Sequence, residues 1–193
     1  MVRMLRMPLL TAVLVAGLGW GGPVGAASLQ GVNVPEHEMM DGTQLRLNGI
    51  GLRTVSVFQI DVYVAGLFLE EPTTDATSIL KSPRKKVLVM TFLRELSADK
   101  ARQAWNEAFE RTCRAPCQLA KATVDQFLAA VPDMRKGDVV KFQFSVNTLR
   151  VMVNGRELGV IHDPVFEQTV LASFIGPAPT STSLKKGLLG LGE

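Results

Sequence analysis

Between positions 43 and 70 apolar and polar residues alternate with the period of two that marks a half-buried strand, and the stretch predicts long strands. In Phe58-Gln-Ile-Asp-Val-Tyr-Val64 the apolar Phe58, Ile60, Val62 and Val64 are expected on one face, with Gln59, Asp61 and Tyr63 opposite. Arg53 shares the parity of Tyr63, and a bulge near Gly49 or Gly51 would shift earlier positions without separating that pair. Residues 85–94 alternate Val87, Val89 and Leu93 with Leu88, Met90 and Phe92, apolar on both faces, as in a central strand.

The period then lengthens to that of a helix. Ser97 is placed as an N-cap, and Ala101, Ala104, Trp105, Ala108, Phe109 and Thr112 form a stripe behind it. A second stripe, Ala120, Val124, Phe127, Leu128 and Val131, predicts a helix from about 118 to 131, closed by Pro132. Residues 139–145 and 149–153 read as strands, and Asn154-Gly155 is a two-residue hairpin signal turning the chain back toward 158–161. An amphipathic helix over 163–175 follows, then a Gly/Pro/Ser/Thr-rich linker and a short basic helix within 176–193. The order predicts one α+β domain: a mainly antiparallel sheet covered on one face by helices.

Composition agrees with a packed domain, at 47% apolar and 20% charged over 193 residues. The N-terminus alters the reading. Arg3 and Arg6, an apolar run from Pro8 to Trp20 and the small-residue site Val24-Gly25-Ala26 have the layout of an export signal over residues 1–26. The run is too short for a spanning helix and is broken by glycines and Pro23. Its removal leaves 167 residues, 27–193, and takes away two of 21 basic residues, so the net charge falls from +3 to +1. A nucleic-acid partner then has no electrostatic motive. A periplasmic or secreted location is expected, with no transmembrane segment in the mature chain.

Export makes Cys113 and Cys117, spaced C-x3-C around Pro116, candidates for a local disulfide. A metal or redox site is the alternative, yet His37 and His162 lie far away in sequence, and no metal or cofactor is expected. The chain has no G-x-S-x-G, P-loop or dinucleotide fingerprint to support a hydrolase, kinase or dehydrogenase. The Ser82-Pro-Arg-Lys-Lys86 cluster reads as a solvated turn.

Asn48-Gly-Ile-Gly-Leu-Arg53 followed by Phe58-Gln-Ile-Asp-Val-Tyr-Val-Ala-Gly-Leu-Phe-Leu-Glu70 resembles the opening of the chalcone isomerase-like family. Phe127, Val131, Lys136-Gly-Asp138 and Val153-Asn-Gly-Arg-Glu-Leu-Gly159 continue the resemblance in order, over about residues 29–190, and it is strongest to an exported bacterial branch. The resemblance implies a large antiparallel sheet under helices with an apolar ligand pocket between the layers. In the plant isomerases an arginine, assisted by a tyrosine, a threonine and an asparagine, stabilises the anionic charge of ring closure. Arg53 falls on the arginine, Lys100 on the tyrosine, Glu107 on the asparagine with Asn106 one position off, and Tyr63 on the threonine. One role of four keeps its residue type.

A guanidinium in a dry pocket can still hold an anion, whereas cyclisation also needs placed donors and proton transfer. The resemblance to fatty-acid-binding relatives therefore implies a non-catalytic binder of a fatty acid or similar apolar carboxylate, with Arg53 as anchor. An isomerase or intramolecular lyase acting on an enone-like substrate, and a partner-binding scaffold, are the alternatives. Ligand-binding candidates are Arg53, Tyr63, Lys100 and Asn106. Each also has a structural reading: Arg53 paired with Asp61, Tyr63 packed across a strand pair, and Lys100 solvated on its helix. Trp105 and Phe109 belong either to the pocket or to the core.

Overall fold

The computed structural model describes residues 26–192. The segment read as an export signal lies, apart from Ala26, outside the described residues. Seven strands form one antiparallel sheet in which spatial order follows chain order: β3 (His37–Met40), β4 (Thr43–Val55), β5 (Ile60–Leu69), β6 (Lys86–Phe92), β7 (Val139–Ser145), β8 (Thr148–Val153) and β9 (Arg156–Ile161). Helix α1 (Ala76–Lys81) joins β5 to β6, α2 (Ala98–Thr112) and α3 (Lys121–Ala130) lie between β6 and β7, and α4 (Pro164–Ile175) and α5 (Thr182–Leu188) follow β9. The expected α+β layering is present. In addition, a hairpin of β1 (Ala27–Leu29) and β2 (Val32–Val34) covers part of the reverse face, where Val64, Phe68 and Val87 join Val34, Met40 and Leu45 in a second apolar cluster.

Local chemistry explains the boundaries. The Ser97 side chain caps α2, and Asp163 Oδ1 accepts from the amides of Val165 and Phe166 with Pro164 opening α4. Asn154 and Gly155 adopt φ of 50° and 78°, the left-handed pair that a tight β8–β9 hairpin requires. Helix α3 starts at Lys121, later than its stripe suggests, and no side chain caps it.

Two expectations are corrected. Val62 and Val64 do not share a face. Tyr63 pairs with Arg53 but Asp61 pairs with Thr54, which leaves Val62 as an extra residue. This bulge turns Val62 and Tyr63 both toward the helices, sends Val64 to the reverse face and moves Asp61 off the face of Arg53. Phe58 precedes the strand, in the turn at 56–59, and is 83% exposed. Nor is α4 amphipathic: Phe166, Thr169, Val170, Leu171, Ser173, Phe174 and Ile175 are all buried, because the helix packs against α1, α2 and α5 as well as β8.

Helix α5 lies on β4 at backbone contact. A Cβ on Gly49 would sit 2.2 Å from the Gly187 carbonyl oxygen, and one on Gly187 would sit 2.3 Å from that of Ile50. A second bulge, at Asn48, supplies the latch: its side-chain amide donates to the Leu188 carbonyl at 2.8 Å and accepts from the Thr73 amide at 2.7 Å. The main core gathers around Trp105, whose ring lies 5.0 to 6.0 Å from those of Phe109, Phe127, Phe142 and Phe174.

Candidate functional site

At the end of the sheet that carries the 56–59 and 154–155 turns, the sheet and the helices part around a cavity of about 290 Å³. That is near the lower end of the ~300 to 1,000 Å³ typical of ligand pockets. Every strand from β4 to β9 contributes to its floor, and α2, α3 and the end of α4 form its roof. Met90, Phe92, Trp105, Phe127, Phe142 and Phe174 make most of the wall apolar. Its polar groups are few: Arg53, Tyr63, Glu107, Arg111, Gln126, Ser173 and Thr180.

Arg53 and Tyr63 are direct cross-strand partners, so the β4–β5 register sets guanidinium and phenol side by side at the cavity wall. Arg53 Nη1 donates to the Thr180 carbonyl at 2.9 Å. Among the described residues it forms no ion pair, and the bulge that relocates Asp61 is the reason that pairing is absent. The rest of the guanidinium fork stays available to an anion. The Tyr63 ring packs on Phe92 at 5.6 Å. Burial pushes its phenol up to about 12, with the Arg53 charge pulling weakly the other way, so at neutral pH Tyr63 is a hydrogen-bond donor and no base.

The other two candidates are not brought here. Lys100 and Asn106 are exposed and do not line the cavity. Helix α2 turns Ala101, Ala104, Trp105 and Ala108 inward, and each of the two lies about 100° around the helix from an inward neighbour. Glu107 does line the cavity, as does Arg111, half-buried and without an ion pair among the described residues. Arg111 was missed because its i+4 spacing from Glu107 reads as ordinary surface pairing. Thr180 was missed because its backbone, which no side-chain pattern reports, makes the contact. Trp105 belongs to both core and wall, whereas Phe109 stays in the core.

Cys113 and Cys117 are joined by a disulfide with Cα atoms 5.1 Å apart, at the end of α2. Among the described residues no three His, Cys, Asp or Glu side chains cluster as a metal site, and no helix is long and apolar enough to cross a membrane.

A seven-stranded antiparallel sheet roofed by helices, with an arginine opening into an apolar chamber between them, defines a ligand-pocket α+β protein. A family profile described as chalcone isomerase-like matches residues 26–190, and the chain belongs to that family. Among solved structures it is similar to a fatty-acid binding protein of Arabidopsis thaliana, with a TM-score of 0.71 at 16% identity, covering 86% of this chain and 96% of the other. At that identity the likeness concerns the fold. No protein of curated function matches by sequence.

Proposed function

We propose that the chain binds a fatty acid or similar apolar carboxylate, tail between sheet and helices and head group on Arg53, with Tyr63 donating the second hydrogen bond. The observation that carries this reading is the Arg53–Tyr63 pair: a cation with no counter-ion among the described residues, beside a protonated phenol, at the wall of a mostly apolar cavity. Burial of the tail supplies most of the affinity, about 0.8 kcal/mol per methylene before ordering costs, and Arg53 sets orientation and selects the anion. The fatty-acid binding neighbour of the same fold supports the ligand class. Binding is favoured over isomerisation because Lys100, at the position aligned with the isomerase tyrosine, faces solvent outside the cavity. The reading places the protein in the periplasm or secreted, as the N-terminal pattern suggests.

Calorimetric titration of wild type and Arg53→Leu with a carboxylate and the alcohol of equal length tests the proposal. The variant should lose roughly 1.5 to 3 kcal/mol for the acid and little for the alcohol. Equal losses for both, or no binding to wild type, would reject Arg53 as the anchor.

A further inference from the structure

Exposed residues line the cavity toward both edges of its floor. Val55 on β4, two residues from Arg53, is both lining and exposed, as are Ala104 and Glu107 on α2. Across the sheet, Gln126 and Ala130 on α3 line the cavity and are exposed, and α3 contacts the edge strand β9, whose Leu158 and Gly159 line the cavity as well. A bulge shapes this second edge as one shapes the first. Gly159 pairs with Val151 and Glu157 with Met152, so Leu158 is the extra residue, and Leu158 and Gly159 both line the cavity. A Cβ on Gly159 would meet nothing within 4 Å, so the space above it at this edge of the cavity is open. From β4 to β9 is five strand spacings of ~4.8 Å, about 24 Å along the sheet. An extended acyl chain anchored at Arg53 needs long-chain length to cross that distance.

We infer that the open space at Gly159, beside α3, is a tail port, through which the methyl end of a long ligand leaves the cavity. The inference rests on the binding reading above and adds two properties to it. Ligands are long-chain, and the protein sets no sharp upper limit on their length, because the far end of the chamber is open. Gly159 is then a specificity-determining position: its missing side chain keeps the port clear, while its φ lies outside the left-handed region, so a larger residue fits the backbone.

Decanoate and docosanoate, and decanol and docosanol, are titrated against wild type, Gly159→Phe and Ala130→Trp, which plug the port from the sheet and from the helix. Each variant should bind both docosyl ligands about tenfold more weakly and leave the decyl ligands unchanged. An equal change at both lengths, or no change at either, overturns the port, as does a wild type that binds neither series. If Gly159→Phe fails to fold, Ala130→Trp at its exposed helix end decides. The alcohols separate the two readings: a failed anchor removes the acid preference in wild type yet keeps the length effect of the plugs, whereas a failed port does the reverse.

Discussion

Tyr63 is the only tyrosine in the chain, so ultraviolet absorbance of phenolate reports it alone. Its phenol should titrate near 12 in the folded protein and near the ordinary value of 10 in denaturant. The unfolded chain therefore holds fewer protons between pH 10 and 12, and stability contributed by the neutral, buried phenol falls as pH rises through that window, by up to ~3 kcal/mol. Denaturant melts at pH 9 and pH 11.5 should differ accordingly in wild type and much less in Tyr63→Phe. A folded-state titration at 10 would show the ring to be solvated and unfit to back the Arg53 site. At this scale the sequence was partly legible. Parity alone paired Arg53 with Tyr63, but it also set Asp61 beside them, because the extra residue Val62 carries no mark in its side chain. Lys100 and Asn106 entered through matching positions on α2, and matching cannot see which way a helix is rotated.

Elements held together by side-chain periodicity were readable, and those held by backbone proximity were not. Strands β4 to β9, the Ser97 cap and the Asn154-Gly155 hairpin follow from alternation and turn chemistry, whereas the packing of α5 on β4 depends on what Gly49, Gly51 and Gly187 lack. Gly187→Ala should therefore cost more than a surface substitution, about 1 to 3 kcal/mol by chemical denaturation, and should weaken carboxylate binding as well. The added methyl must push α5 off β4, and the segment preceding that helix carries the Thr180 carbonyl that holds Arg53. A stable variant with wild-type affinity would show that α5 only covers the sheet. The disulfide at the end of α2 closes a short loop, so Cys113→Ser with Cys117→Ser should lower stability by about 2 kcal/mol on the chain-entropy account, measured by the same denaturation.

For the whole molecule, the proposed export predicts that intact mass of the secreted or periplasmic product begins at Ala27 or Ser28 and shows no alkylatable thiol; a mass retaining Met1 would reject it. The meander has a further consequence for assembly. Each sheet strand pairs with its neighbours in the chain, so loop closure along the sheet is paid in small steps, mostly between adjoining segments. The contacts that fasten the C-terminal segment to β4 are of the other kind: Arg53 reaches Thr180 across 127 positions, and Asn48 reaches Leu188 across 140. These are the two longest-range side-chain hydrogen bonds among the described residues; Lys141–Glu38 and Arg150–Asp41 span 103 and 109 positions within the sheet itself. A chain emerging from its N-terminus can zip the sheet before residues 176–192 arrive, and that last segment then fastens Arg53 in place. On the proposed binding reading, competence to hold an anion would be a late marker of folding, reached only once residues 176–192 have docked.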